Sequence, residues 1–196
     1  ANYSISTGQT TTADVTAKSL TVSGITASDK TYDGNAVATL NTGSVLYSGL
    51  INGDTFSGTY TGAFNNANAG TSKTVTITPS YTGADVSNFS VTDQSTITAD
   101  IAVKALTATA SASNKTYDGT TTATTTLTFS GLVGSETLGQ TVGSTFNNKN
   151  VGTGKTVTVN SITLADGTGL AANYSISPGQ TTTADITAKS LTVSGI

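Results

Sequence analysis

Side chains able to do chemistry are few in this chain, and they recur at matching places. Lys30 opens the phrase KTYDG and is followed by Asp33, while Lys115 opens the same five residues with Asp118, 85 positions later (115 − 30). A lysine near asparagine and aspartate could close an intramolecular amide crosslink, so Lys30 and Lys115 are candidates if a buried carboxylate activates the reaction. Asp14, Asp100 and Asp185 each stand in a Thr-Ala-Asp step. With Asp33 or Asp118 they could offer oxygen ligands to calcium, yet calcium loops gather several carboxylates at close spacing and these are isolated. Solvated charges at strand ends are the plainer expectation, with no cofactor. Gly152-Thr153-Gly154-Lys155-Thr156 imitates the end of a phosphate-binding loop. Lys149, however, stands where the full motif needs glycine, and residues 156–159 alternate like a strand instead of opening a helix.

Missing residue types narrow the chemistry further. The chain has no His, Cys, Met or Trp, and all eight basic residues are lysines. That removes imidazole, thiol and the usual zinc ligands, along with the commonest general base. No nucleophile elbow or paired-carboxylate constellation appears, so no catalytic residue is assigned and no enzyme is expected. A net charge of −3 with 10% charged residues gives no basic surface for nucleic acid. No apolar run approaches the roughly 20 residues of a helical membrane span, so membrane insertion by this segment is not expected.

The elements that must position these residues read as strands. Threonine, about a fifth of the chain, is β-branched and polar enough to cover the wet face of a sheet. Short alternating segments run through Leu20 and Val22, Val45 and Tyr47, Val75 and Ile77, Phe89 and Val91, and Ile97, Ala99, Ile101 and Val103. Turn signals separate them: Asp33-Gly34, Asn52-Gly53, Ala69-Gly70 and Asp166-Gly167. No window carries a helical apolar stripe. The expectation is all-β, with two tandem β-sandwich-like antiparallel domains; a β-grasp-like α+β arrangement with one short helix is the alternative.

Nearly every landmark occurs twice. KSLTVSG from Lys18 returns as KALTATA from Lys104, and SGLINGDT from Ser48 as SGLVGSET from Ser130. FNNANAGTSKTVTI from Phe64 returns as FNNKNVGTGKTVTV from Phe146, and SNFS from Ser87 as ANYS from Ala172. Residues 1–25 also match residues 172–196 at all positions but two, Thr7 against Pro178 and Val15 against Ile186. Two unlike domains thus form a unit of 171 residues (172 − 1), and the chain reads as one unit plus the start of another, cut from a longer tandem array. The expected boundaries are 1–17 for the last strand region of a preceding repeat, 18–103 and 104–188 for two domains, and 189–196 for the first strand of a following repeat.

The junctions lack a linker. From Gln9 to Ser23, Gln94 to Asn114 and Gln180 to Ser194 there is neither Gly nor Pro. Inward parity flips within them, from Ala13 and Val15 to Leu20 and Val22, and from Ile101 and Val103 to Leu106 and Ala108. Alternate residues face opposite sides of a sheet, so a parity slip marks where a strand leaves one core and joins another. An elongated, linkerless array follows as the expectation.

The series Lys30-Thr31-Tyr32-Asp33-Gly34, Ser48-Gly49-Leu50, Gly53-Asp54, Asn68-Ala69-Gly70-Thr71, Asn88-Phe89-Ser90 and Thr98-Ala99-Asp100-Ile101, with its second copy, resembles the YDG-type tandem domains of large bacterial surface adhesins, the filamentous-haemagglutinin-like secreted proteins. One departure is Ser135-Glu136, where the first copy has Gly53-Asp54. The resemblance implies an extracellular stalk segment at the bacterial cell surface. In that reading Tyr32, Asp33, Gly34, Tyr117, Asp118 and Gly119 form a structural turn motif, and neighbouring repeats of the same chain are the partners. The alternative is a repeated module binding a surface glycan or matrix polymer by avidity, with Tyr32 or Tyr117 joined by Tyr3, Tyr174 or Phe89 as an aromatic platform.

Overall fold

A computed structural model describes residues 2–195. The chain is all-β. Among the described residues the only helical pieces are two 3₁₀ turns, Val86–Asn88 and Ala171–Asn173, so the β-grasp-like α+β alternative is not what forms. The threonine-rich segments offer no 3.6-residue apolar stripe for a helix to bury.

Cα packing divides the chain into two compact units that cut across the sequence repeats. The first comprises Ala1–Ser28, Ala38–Ala63 and Thr74–Thr98; the second comprises Asp29–Val37, Phe64–Lys73 and Ala99–Ile196. In the first unit, strand Lys18–Ser23 lies between Leu46–Ser48, antiparallel, and Phe89–Thr92, parallel. Its alternation turns Leu20 and Val22 into a core with Ile25, Ile77 and Phe89, against which Leu50, Phe56, Tyr60 and Tyr81 pack. Phe56 sits 5.1 Å from Tyr47, 5.0 Å from Tyr81 and 5.9 Å from Phe89, ring centroid to centroid. Aromatic pairs at these separations add to the stability that their burial provides.

The second unit holds the long hairpin Leu138–Phe146 with Gly152–Asp166. It belongs to a five-stranded sheet whose order is Lys115–Thr116, Thr181–Thr187, Gly152–Asp166, Leu138–Phe146, Thr122–Ala123. Phe146, Val157, Ala184 and Ile186 form its core. A small-sheet strand Thr107–Ala112 pairs antiparallel with Thr125–Ser130, and Lys104–Ala105 pairs in parallel with Tyr174–Ser175. The pairings of the first repeat thus return in the second.

The sheets are mixed, not purely antiparallel. Besides the two parallel pairs above, Lys30–Thr31 lies parallel to Thr96–Ala102, and Lys115–Thr116 parallel to Thr181–Thr187. Alternation reports which face a residue takes but carries no strand direction, and these partners lie about 70 residues apart in the chain. Ile101 and Leu106 are buried as expected, but Val103 is exposed, because the chain changes sheets at that residue, between Thr96–Ala102 and Lys104–Ala105.

The near-identical ends show how far burial depends on company. Residues 2–17 carry no strand, and Ala13 and Val15 are exposed, contrary to their inward reading. Their counterparts Ala184 and Ile186 are buried in strand Thr181–Thr187. Likewise Leu191 and Val193 are exposed, whereas Leu20 and Val22, in the same sequence, are buried. Strand formation here comes from cross-strand partners more than from intrinsic propensity.

Candidate functional site: the lysine-anchored KTYDG loop and its tyrosine clamp

The repeated phrase folds around its lysine. Strand Lys30–Thr31 is followed by Gly34 at φ +80°, a conformation in which a Cβ is unwelcome. The three N–H donors of Lys30 Nζ are shared among four oxygens within hydrogen-bond distance: Asp33 Oδ1 at 2.8 Å, Asn35 O at 2.8 Å, Asn35 Oδ1 at 3.0 Å and Val37 O at 3.2 Å. Lys115 repeats the pattern with Asp118 Oδ1 at 2.9 Å, Thr120 O at 2.9 Å, Thr120 Oγ1 at 3.0 Å and Thr122 O at 3.0 Å. Each ammonium also lies over a buried phenylalanine ring, Lys30 at 5.7 Å from Phe64 and Lys115 at 5.6 Å from Phe146. The lysine is the hub that closes the loop, using more donors than any neutral side chain could supply from one point.

The aspartates are bound into the same frame. Partial burial opposes the Asp33 carboxylate, but hydrogen bonds from Lys30 and the Asn35 backbone N–H, with the lysine charge, outweigh it and lower its pKa. The hydrogen bond from Lys115, then those from the Thr120 backbone N–H and side chain, hold Asp118 at about 2. Asp100 and Asp185, read as possible calcium ligands, each brace the returning strand through one carboxylate oxygen. Asp100 Oδ1 accepts the Ser72 N–H at 2.7 Å and Asp185 Oδ1 accepts the Gly154 N–H at 2.7 Å. Both donors sit at positive φ, Ser72 at 48° and Gly154 at 59°. The imitation phosphate loop is therefore a strand turn whose backbone N–H already has its anion. Asp14 is exposed, and among the described residues no three or more potential ligands gather around a metal-sized space.

What the loop presents is Tyr32, and its seat lies within the second compact unit. Tyr32 is 5% exposed, and its ring meets Tyr174 edge to face at 5.4 Å. Its hydroxyl donates to Glu136 Oε1 at 2.7 Å, while the Tyr174 hydroxyl donates to Oε2 of the same carboxylate at 2.5 Å. Tyr174 also accepts the Val133 N–H at 2.9 Å. Desolvation, then the glutamate, pushes the Tyr32 phenol up to about 12 and raises Tyr174 as well. Beside the clamp, Asn173, 1% exposed, accepts the Ala69 N–H on Oδ1 at 2.9 Å and donates from Nδ2 to Asn68 Oδ1 at 3.2 Å. A buried amide with its oxygen and nitrogen both engaged fixes register as well as holding two chain segments together.

Two repeats of one loop design, arranged in tandem, match a family model for the YDG domain over residues 16–97 and again over 102–184. The chain belongs to the YDG domain family. Curated proteins and solved structures yield no match. In this YDG pair the tyrosine and glycine of the signature do different work: the glycine lets the loop turn, and the tyrosine docks it. Sequence reading placed Tyr32, Asp33, Gly34, Tyr117, Asp118 and Gly119 in a turn, and they occupy equivalent loops. It missed Glu136 and Asn173. The signal for Glu136 was a paired difference between the YDG copies, Asp54 with Phe89 in one and Glu136 with Tyr174 in the other. An extra phenol came with a longer carboxylate to receive it.

Proposed function

We propose that this chain is a spacer, a stalk segment of an extracellular bacterial surface adhesin that carries a separate binding tip away from the cell. One observation carries the reading: the KTYDG loop and the Asn68-Ala69 turn of the first YDG repeat are fastened directly to Glu136, Asn173 and Tyr174 of the second. Neither Gly nor Pro intervenes, and strand Thr96–Ala102 is followed after Val103 by Lys104–Ala105. The mechanism is geometric. Repeats that pack on their neighbours without linkers make reach a matter of copy number.

A glycan platform finds less support. Tyr32, Tyr174 and Phe89 are all buried, and among the described residues neither the exposed Tyr3 nor the partly exposed Tyr117 has a neighbouring aromatic ring to build a platform with. Small-angle scattering on chains of one, two and three 171-residue units tests the spacer. The radius of gyration should exceed the roughly 16 Å of a compact chain of this length and rise in proportion to unit number. A cube-root rise would sink the reading.

A further inference from the structure

The Tyr32 clamp shows how a KTYDG loop seats on a following repeat. The second loop, around Tyr117, presents the same side chains with nothing upon them: Tyr117 is 36% exposed against 5% for Tyr32, and Val151, the counterpart of Ala69, is 54% exposed. Asn150, the counterpart of Asn68, is exposed too. The counterparts of the clamp's receiving residues lie on the first repeat. Ile51 corresponds to Val133, Asp54 to Glu136, Asn88 to Asn173 and Phe89 to Tyr174. Ile51 is 50% exposed and Asn88 is exposed, although Asn173 is 1% exposed with both amide ends bonded. A groove of about 250 Å³ there is lined by Ile51, Ser87 and Asn88 together with Val15, Thr16, Ala17 and Lys18 of the segment that leads into the first strand.

We infer that the face formed by Ile51, Asp54 and Asn88 is a docking site for a second copy of this chain, filled by the loop end Tyr117–Gly119 and Asn150-Val151 of the preceding copy. Charge and hydrogen-bonding partners match the clamp already seen. Asn88 accepts the Val151 N–H and donates to Asn150, Asp54 supplies a carboxylate for the Tyr117 hydroxyl, and Gly119 leaves room for Ile51. The last correspondence is visible in the clamp, where a Cβ on Gly34 would lie 2.9 Å from Val133 Cγ1. The two seams differ in one respect. Phe89 lacks a hydroxyl, so this second seam has one phenol on its carboxylate where the first has two. An array of such chains therefore alternates between two chemically distinct joints.

The inference rests on the spacer reading only for the tandem order of copies. Its test is amide hydrogen exchange at Val151, with Ala69 as internal reference, in this chain and in the chain extended past Ile196 by another copy of residues 26–98. Ala69 N–H is bonded to Asn173 and should be slow in both. Val151 should exchange freely in the shorter chain and slow by more than about tenfold in the longer one. Asn88→Ala in the added copy should abolish that slowing and leave Ala69 untouched. A Val151 amide that stays fast while Ala69 is protected overturns the docking site, and so does a slowing that survives Asn88→Ala. Failure of the spacer alone would leave Val151 protected while scattering showed a compact array.

Discussion

Tyr32 and Tyr174 meet edge to face 5.4 Å apart, and both hydroxyls close on the one carboxylate of Glu136. Ionising either phenol would place a second negative charge beside that carboxylate in a partly desolvated space. The folded state therefore holds the proton of Tyr32 up to about 12, against 10.0 ordinarily. A folded pKa above the unfolded one contributes stability fully below pH 10 and loses it as the pH climbs towards 12. Desolvation first, then Tyr47 for Tyr60 and Asp93 for Tyr81, raises those two phenols as well. Ultraviolet titration should thus show a late group of tyrosinates whose appearance coincides with loss of near-ultraviolet circular dichroism. A single step near the free phenol value, with structure intact, would mean the clamp is not formed.

Removing the shared acceptor should cost more than altering it. Glu136→Ala strands two hydroxyls at a buried seat, and the expected loss is about 1–3 kcal/mol by urea unfolding. Glu136→Gln keeps an acceptor oxygen in place and should cost less. Asp54→Ala, at the corresponding but unoccupied position of the first repeat, should change stability little. Equal losses for the two Glu136 variants would show that the carboxylate's bonds do not carry the seat.

The lysine hub predicts an acid titration. The hydrogen bond from Lys115, followed by those from Thr120, lowers Asp118 from 3.8 to about 2. A depressed carboxyl contributes stability above its unfolded value and loses it as pH falls through the folded one, so the Lys115 loop should hold at pH 4 and loosen towards pH 2. In Lys115→Met the Asp118 carboxyl should return towards 3.8, read by side-chain NMR, while Asp33 stays depressed. An Asp118 midpoint unmoved by the substitution would assign its shift to the loop backbone instead.

The β class, the doubling and the loop glycines could be read from sequence because each rests on local rules. Threonine content and alternation set the class, and Asp-Gly set the turn. Leu20, Val22, Val75 and Ile77 are buried where alternation placed them. Strand direction was not readable, since Leu20 and Val91 are parallel partners through a pairing that alternation leaves undefined. Glu136 and Asn173 were hidden for a related reason: their partners, Tyr32 and Asn68, lie 104 and 105 positions away. Val15 failed in the opposite sense. Its apolar alternation is the same as that of Ile186, but a strand face is buried only when something lies against it.

Gly34 and Gly119 provide a matched pair in which local strain and docking separate. Both stand at φ +80°, so replacement by alanine imposes the same left-handed backbone on a side chain that resists it. That shared cost is about 1 kcal/mol. Only at Gly34 would the new methyl meet a neighbour, Val133 Cγ1 at 2.9 Å, whereas at Gly119 nothing lies within 4 Å of it. Valine is stiff about its χ1 and cannot swing the methyl aside cheaply, so Gly34→Ala adds an overpacking cost of about 1–3 kcal/mol. Gly34→Ala should therefore be the more destabilising of the two by urea unfolding, and should also speed exchange at the Ala69 amide. Equal losses at the two glycines would mean that Val133 yields freely, and that the loop is held by its tyrosine without close packing at the glycine. In the chain extended by a following copy, Gly119→Ala should acquire the same additional cost, because Ile51 then stands where Val133 stands for Gly34.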